Sequence, residues 1–99
     1  MMRLYHHTTQ TAATQILADG FRDSRGDSFF VPCVWLSDSP DACNRAMRGR
    51  SEGVMLMIDV SEDVAQRFLV ADFPGRWREF CIPADVVNRL PVARATSVR

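Results

Sequence analysis

Apolar and polar residues change period several times along this chain, and each change marks an element. Met2 to His7 reads as a short strand in which Leu4 and Tyr5 supply the bulk, and the polar Thr8 and Thr9 end it. From Thr9 or Gln10 the spacing switches to threes and fours. Ala12, Ala13, Ile16 and Leu17 then form one helical stripe, closed by Asp19 and by Gly20, which is able to take a positive φ. Arg22 to Asp27 follows neither period and reads as an exposed loop. Strand chemistry resumes from Phe29 to Ser37, densest at Val34, Trp35 and Leu36, with Pro32 marking an edge or an entry bulge.

A second helix start is well marked. Ser39 is placed to cap, Pro40 to fill the first helical position and Asp41 to meet the positive end of the dipole. Ala42, Ala46 and Met47 share its face and Gly49 ends it. Val54 to Val60, VMLMIDV, is a nearly continuous apolar run, short enough for a strand buried on both faces at the sheet centre. Gln66 to Ala71 reads as a further strand, Phe73 to Arg76 as a turn and Trp77 to Pro83 as the hairpin partner. Within that partner Phe80 and Ile82 share one face, and Glu79 shares the other with Trp77 and Cys81. Ala84 to Asn88 is a helical turn and Leu90 to Ala95 a last strand, before a tail from Thr96 to Arg99. The order predicts one α+β domain over residues 1–99, with a mixed, split β-sheet and two helices.

Composition narrows the chemistry. With 46% hydrophobic and 24% charged residues the chain expects a real core. Twelve basic and twelve acidic side chains cancel, so an anionic ligand must be held by local placement rather than by a global positive field. Every basic residue is arginine, which removes lysine Schiff-base chemistry and leaves forks suited to carboxylate or phosphate. Cys33, Cys43 and Cys81 form no CxxC pair, so neither a disulfide framework nor a zinc site is expected, and reducing cytoplasm is the simplest home. No apolar run approaches the ~20 residues that span a bilayer, and the reading expects neither a signal peptide nor a membrane anchor.

Several side chains stand out as candidates. His6 and His7 are adjacent in a strand, so they project to opposite faces and cannot hold one metal together. Glu79 sits mid-strand between aromatics, where glutamate is disfavoured; its alternative role is an exposed acid paired to Arg76 or Arg78. Ser37 ends a strand and opens towards a helix, which suits a ligand contact and equally a capping role shared with Ser39. A cysteine nucleophile at Cys33 or Cys81, with His6 or His7 as its base, has no flanking signature, and buried apolar cysteine is the commoner role. No glycine pattern of the GxGxxG or P-loop kind is present.

Three blocks, in this order, resemble the ADP-ribosyltransferase fold, in its branch of poly-ADP-ribose-polymerase-like enzymes and RNA 2'-phosphotransferases. LYHHTT at Leu4 to Thr9, followed by a helix ending in ILADGF, is similar to that branch's first strand. VWLSDSPDACNRA at Val34 to Ala46 is similar to its second strand and trailing helix, with VMLMIDV next. REFCIPADVV at Arg78 to Val87 is similar to its third motif, where a glutamate precedes an aromatic and an apolar run.

The resemblance implies NAD as substrate. His6 then bonds a ribose hydroxyl, and Glu79 holds the nicotinamide ribose 2'-hydroxyl while the glycosidic bond breaks. A fixed carboxylate in a water-poor cleft stabilises the developing oxocarbenium charge. Thr8 and the His7 backbone meet the carboxamide, Arg22 or Arg25 clamps the pyrophosphate, and Trp35, Phe29 or Phe30 stacks on the ring. The resulting expectation is a cytoplasmic ADP-ribosyltransferase or NAD glycohydrolase with no metal and no membrane partner. Its acceptor, whether protein, nucleic acid or small molecule, is open. The alternatives are an RNA 2'-phosphotransferase-like enzyme and a catalytically degenerate protein-binding module, a toxin-system or phage-encoded inhibitor. In that last case Arg45, Arg48 and Arg50 form an interaction patch, or simply a favourable helix C-terminus.

Overall fold

In a computed structural model of the chain, residues 1–22, 33–40 and 53–94 are described. The loop expected at Arg22 to Asp27 and the helix expected from Pro40 to Gly49, each beyond its first residue, and Arg25, Phe29, Phe30, Cys43 and the C-terminal tail lie outside them.

Strands β1 (Met2–Thr9), β2 (Val34–Ser37), β3 (Gly53–Val60), β4 (Leu69–Phe73), β5 (Trp77–Ile82) and β6 (Val92–Arg94) form one six-stranded sheet in the order β4-β5-β2-β1-β3-β6. Helices α1 (Gln10–Asp19), α2 (Glu62–Arg67) and α3 (Ala84–Val87) complete an α+β domain. Every pairing is antiparallel, which corrects the mixed sheet expected from sequence. Reading strand direction requires knowing which strands are neighbours, and β1 lies between β2 and β3 rather than beside a parallel partner.

The strand expected from Gln66 is also corrected, because its first residues belong to α2. The cause is local: Ser61 caps the helix with its Oγ accepting from the Val64 N–H at 3.3 Å, while Glu62 and Asp63 sit in the first turn and Arg67 in the last. At the start of α1, Thr9 plays the same part and its Oγ1 accepts from the Ala12 N–H at 3.2 Å, so β1 runs two residues past its expected end. Gly20 closes α1 at φ 91°, as expected of a glycine there.

Alternation distributes the core. Met2 and Leu4 of β1, Val54, Leu56, Ile58 and Val60 of β3, Val34 and Leu36 of β2, and Phe80 and Ile82 of β5 are buried in one cluster. Ala13 of α1, Ala65 of α2 and Ala84 and Val87 of α3 join it. The β1–β3 ladder is continuous from Met2↔Val60 to Thr9↔Gly53. Between β1 and β2, by contrast, only Tyr5↔Ser37 is paired, which divides the sheet into halves β4-β5-β2 and β1-β3-β6.

Cys33 and Cys81 are joined by a disulfide across 48 positions of sequence, with their Cα atoms 5.5 Å apart. This overturns the expectation of reduced cysteines. The two become neighbours only when β2 is laid against β5, where Trp35 pairs with Cys81. Restricting a loop of that length in the unfolded chain stabilises the fold by at most about 4 kcal/mol. Reduction by a phosphine, followed by urea unfolding, should lower the unfolding free energy by roughly 2–4 kcal/mol. An unchanged midpoint would mean that the bond does not form.

Candidate functional site

His6 is the first polar residue to interrupt the apolar face of β1. Leu4 is fully buried, and two residues on, in the same facing, the imidazole of His6 replaces an aliphatic side chain. The ring lies opposite Leu36 across the gap between β1 and β2, where the backbone ladder has stopped after Tyr5↔Ser37. There its Nδ1–H donates to the Trp35 carbonyl at 2.8 Å. A side chain thus supplies a bond between strands that no longer pair through their backbones. Because a carbonyl can only accept, Nδ1 carries the proton and Nε2 is the acceptor in the neutral ring. Burial pushes the His6 imidazole below its ordinary pKa, opposed by the Trp35 carbonyl and reinforced by the neighbouring His7 charge.

Phe21 packs against the His6 ring in a T-shaped arrangement, with centroids 5.2 Å apart and planes at 86°. Between β1 and α1 a cleft of about 340 Å³ opens beside the imidazole. It is lined by His6, Thr8, Ala12, Gln15, Ile16, Asp19, Gly20 and Arg22. That volume is at the lower end of the range for small-molecule sites, roughly 300–1,000 Å³. The cleft combines an apolar floor, Ala12 and Ile16, with a rim that offers an imidazole acceptor, a hydroxyl, an amide, a carboxylate and a guanidinium.

Glu79 is elsewhere. It pairs with Ser37, which pairs with Tyr5, and directly opposed residues of antiparallel strands share a face. His6 follows Tyr5 and therefore points the other way. The expected convergence of His6 and Glu79 in one groove is corrected: the two occupy opposite faces of the sheet. His7, Trp35 and Ser37 share the Glu79 face, and among the described residues Thr8 and Arg22 of the remaining expected site residues accompany His6. The Glu79 carboxylate accepts from the Trp77 indole N–H at 3.2 Å. It does not pair with Arg78, whose Nε donates to Asp38 at 2.8 Å while its backbone N–H donates to the other oxygen of the same carboxylate at 2.8 Å. Asp38 thereby raises the Arg78 pKa and keeps the guanidinium charged.

Other expected roles find specific partners. Ser37 is buried and its hydroxyl donates to the Ser39 carbonyl at 2.9 Å, a turn contact within reach of neither His6 nor the cleft. On the Glu79 face His7 lies tightly over Gly53, where an added Cβ would stand 2.5 Å from Nε2. A larger residue at position 53 would displace the His7 ring. Cys33 and Cys81 are committed to each other, which removes both as nucleophiles in this state. Among the described residues no group of three or more metal-ligating side chains is gathered, and no helix is long and apolar enough to cross a membrane.

Gln15, Asp19 and Phe21 line or wall the cleft and were read from sequence only as helix and helix end. The helical period places Gln15 and Asp19 one turn apart on a common edge, but which edge meets β1 depends on packing. No family model matches the chain, and no curated protein or solved structure matches it.

The lowered His6 pKa makes stability depend on pH. The unfolded imidazole binds its proton at about pH 6.5 and the folded one only at lower pH. The contribution is therefore complete above about pH 6.5 and is lost progressively as pH falls towards the folded value. Urea unfolding at about pH 7 and about pH 5 should show a larger loss for the wild type than for His6→Gln. Equal losses would exclude a buried neutral imidazole.

Proposed function

We propose that this domain has ADP-ribosyltransferase-like architecture, binds an NAD-type nucleotide in the His6 cleft, and does not cleave it. The observation that carries this reading is the division of the expected site residues: His6, Thr8 and Arg22 share one cleft, and Glu79 stands on the opposite face.

The cleft suits the nucleotide end of such a ligand. Nε2 of His6 accepts from a ribose hydroxyl, and its tautomer is already set by the Trp35 carbonyl. Thr8 adds a hydroxyl, Arg22 a charge-assisted contact for phosphate, and Ile16 an apolar surface for a base. At about 340 Å³ the space is that of one nucleotide-sized group. Asp19 on the same rim favours a ligand with hydroxyl or amino donors over one that is uniformly anionic.

Cleavage of the nicotinamide–ribose bond asks more. A carboxylate must lie within hydrogen-bond reach of the ribose whose positive charge develops. Glu79 is bonded to Trp77, and the gap through which a ligand would pass from His6 to Glu79 is bridged by the His6–Trp35 hydrogen bond. Binding without turnover follows, which shares the catalytic degeneracy of the protein-binding alternative but not its protein ligand, and sets aside the transferase, glycohydrolase and RNA 2'-phosphotransferase readings.

Titration calorimetry with NAD should give a saturable heat that His6→Ala weakens by about tenfold, as expected for losing one well-formed hydrogen bond and its packing. Chromatography of the same mixture should show no nicotinamide. Release of nicotinamide that disappears in Glu79→Gln would replace this reading with the transferase or glycohydrolase one. Absence of heat with the wild type would remove the nucleotide.

A further inference from the structure

The wall behind His6 is set by a side chain far away in sequence. Phe21 leaves α1 directly after Gly20, and its ring is buried and stands near-perpendicular to the imidazole. One amide holds its backbone on both sides. The Phe21 N–H donates to Asn88 Oδ1 at 2.6 Å, and Asn88 Nδ2 donates to the Phe21 carbonyl at 2.9 Å. This pair of bonds also settles the orientation of the amide, since the flipped form would place donor against donor and acceptor against acceptor.

The clamp has a fixed base. Asn88 is the C-cap of α3, its own N–H donating to the Ala84 carbonyl at 2.8 Å, and α3 is anchored in the core through Ala84 and Val87. It also has a close fit. A Cβ on Gly20 would lie 3.0 Å from Asn88 Oδ1, and Gly20 takes φ 91°, so the approach depends on glycine twice over. No aspartate would substitute, because a carboxylate accepts from the N–H but has no donor for the carbonyl. A leucine of similar shape would offer neither.

We propose that Asn88 is a positioning residue for the His6 cleft, holding Phe21 against the imidazole so that the ring stays dry and keeps its place at the mouth of the binding site. Asn88 does not line the cleft and touches no ligand there. Its action passes through the hydrogen bonds to Phe21 and the close approach to Gly20. Asp19 and Arg22 are the charged groups at the cleft, His7 is the titratable neighbour of His6, and truncating Asn88 removes no charge. A change at His6 in the variant therefore reports packing and hydration. The ligand part of the proposal rests on the nucleotide-binding reading above; the imidazole part does not.

The test follows the His6 ring by NMR titration in the wild type, Asn88→Ala and Phe21→Leu, with NAD calorimetry on the same proteins. Asn88 is itself solvent-exposed, and its truncation removes the two hydrogen bonds to Phe21. Ser61→Ala, which uncaps α2 on another part of the fold, is the control for general loss of stability. In Asn88→Ala the His6 pKa should move up towards the ordinary imidazole value, Phe21→Leu should do the same, and Ser61→Ala should leave it unmoved. Nucleotide affinity should fall by about threefold to tenfold in Asn88→Ala, the range for one or two net hydrogen bonds. A wild-type His6 titration in Asn88→Ala would overturn the proposal, and so would an equal shift in Ser61→Ala. If the wild type gives no heat with NAD, the nucleotide reading alone fails and the NMR comparison still decides the role of Asn88.

Discussion

The β1–β3 ladder is the interaction on which the rest of this domain depends. Its unbroken register from Met2↔Val60 to Thr9↔Gly53 places Met2 and Leu4 beside Val60 and Ile58, and so assigns one face of two adjacent strands to the core. Strand geometry then leaves no choice for the remaining side chains. A slip of one residue would exchange the faces, bringing His7 to the helices and Leu4 to the other side. The position of His6 is thus a consequence of burying Leu4.

The cleft forms where the apolar pattern of β1 gives out. Met2 and Leu4 fill the interior, then His6 and Thr8 continue the same facing with groups that need partners or water. Trp35 supplies the partner for His6 from a strand that has ceased to pair with β1. The helix that follows β1 returns over this end, and it brings the small Ala12 and the branched Ile16 rather than residues large enough to close the space. Helix α1 is in turn tied to the far end of the chain through Asn88, so the shape of the cleft depends on elements from both ends of the sequence.

The opposite face is organised differently. Ser37, Glu79 and Tyr5 form a row across three strands, with the Cys33–Cys81 bond joining β2 to β5 beside it. Arg78, although next to Glu79 in sequence, points to the other face and is held by Asp38. The glutamate consequently takes its hydrogen bond from an indole on its own strand two residues away, the separation at which side chains share a face. The face on which each of these groups acts is thereby settled by strand parity.

Much of the secondary structure was legible in residue order because it is set by neighbours along the chain. The α1 stripe at Ala12, Ala13 and Ile16, the glycine stop at Gly20, and the shared face of Phe80 and Ile82 arise from such local order. Leu17, expected in the stripe, is exposed, and β3, expected at the sheet centre and buried on both faces, lies next to the edge strand with Asp59 exposed. The cap at Ser61 is equally local, and the acids after it are the signal for α2, whose last two residues, Gln66 and Arg67, the sequence pattern assigns to a strand. That His6 and His7 face opposite ways also follows from adjacency alone. What adjacency does not contain is the order β4-β5-β2-β1-β3-β6. Only that order makes Ser37 the link between Tyr5 and Glu79, separates Glu79 from His6, brings Cys33 to Cys81 and lays Asn88 against Phe21. Each of these depends on burial of a shared apolar face, a free energy that belongs to the assembled sheet and to no single segment of the chain.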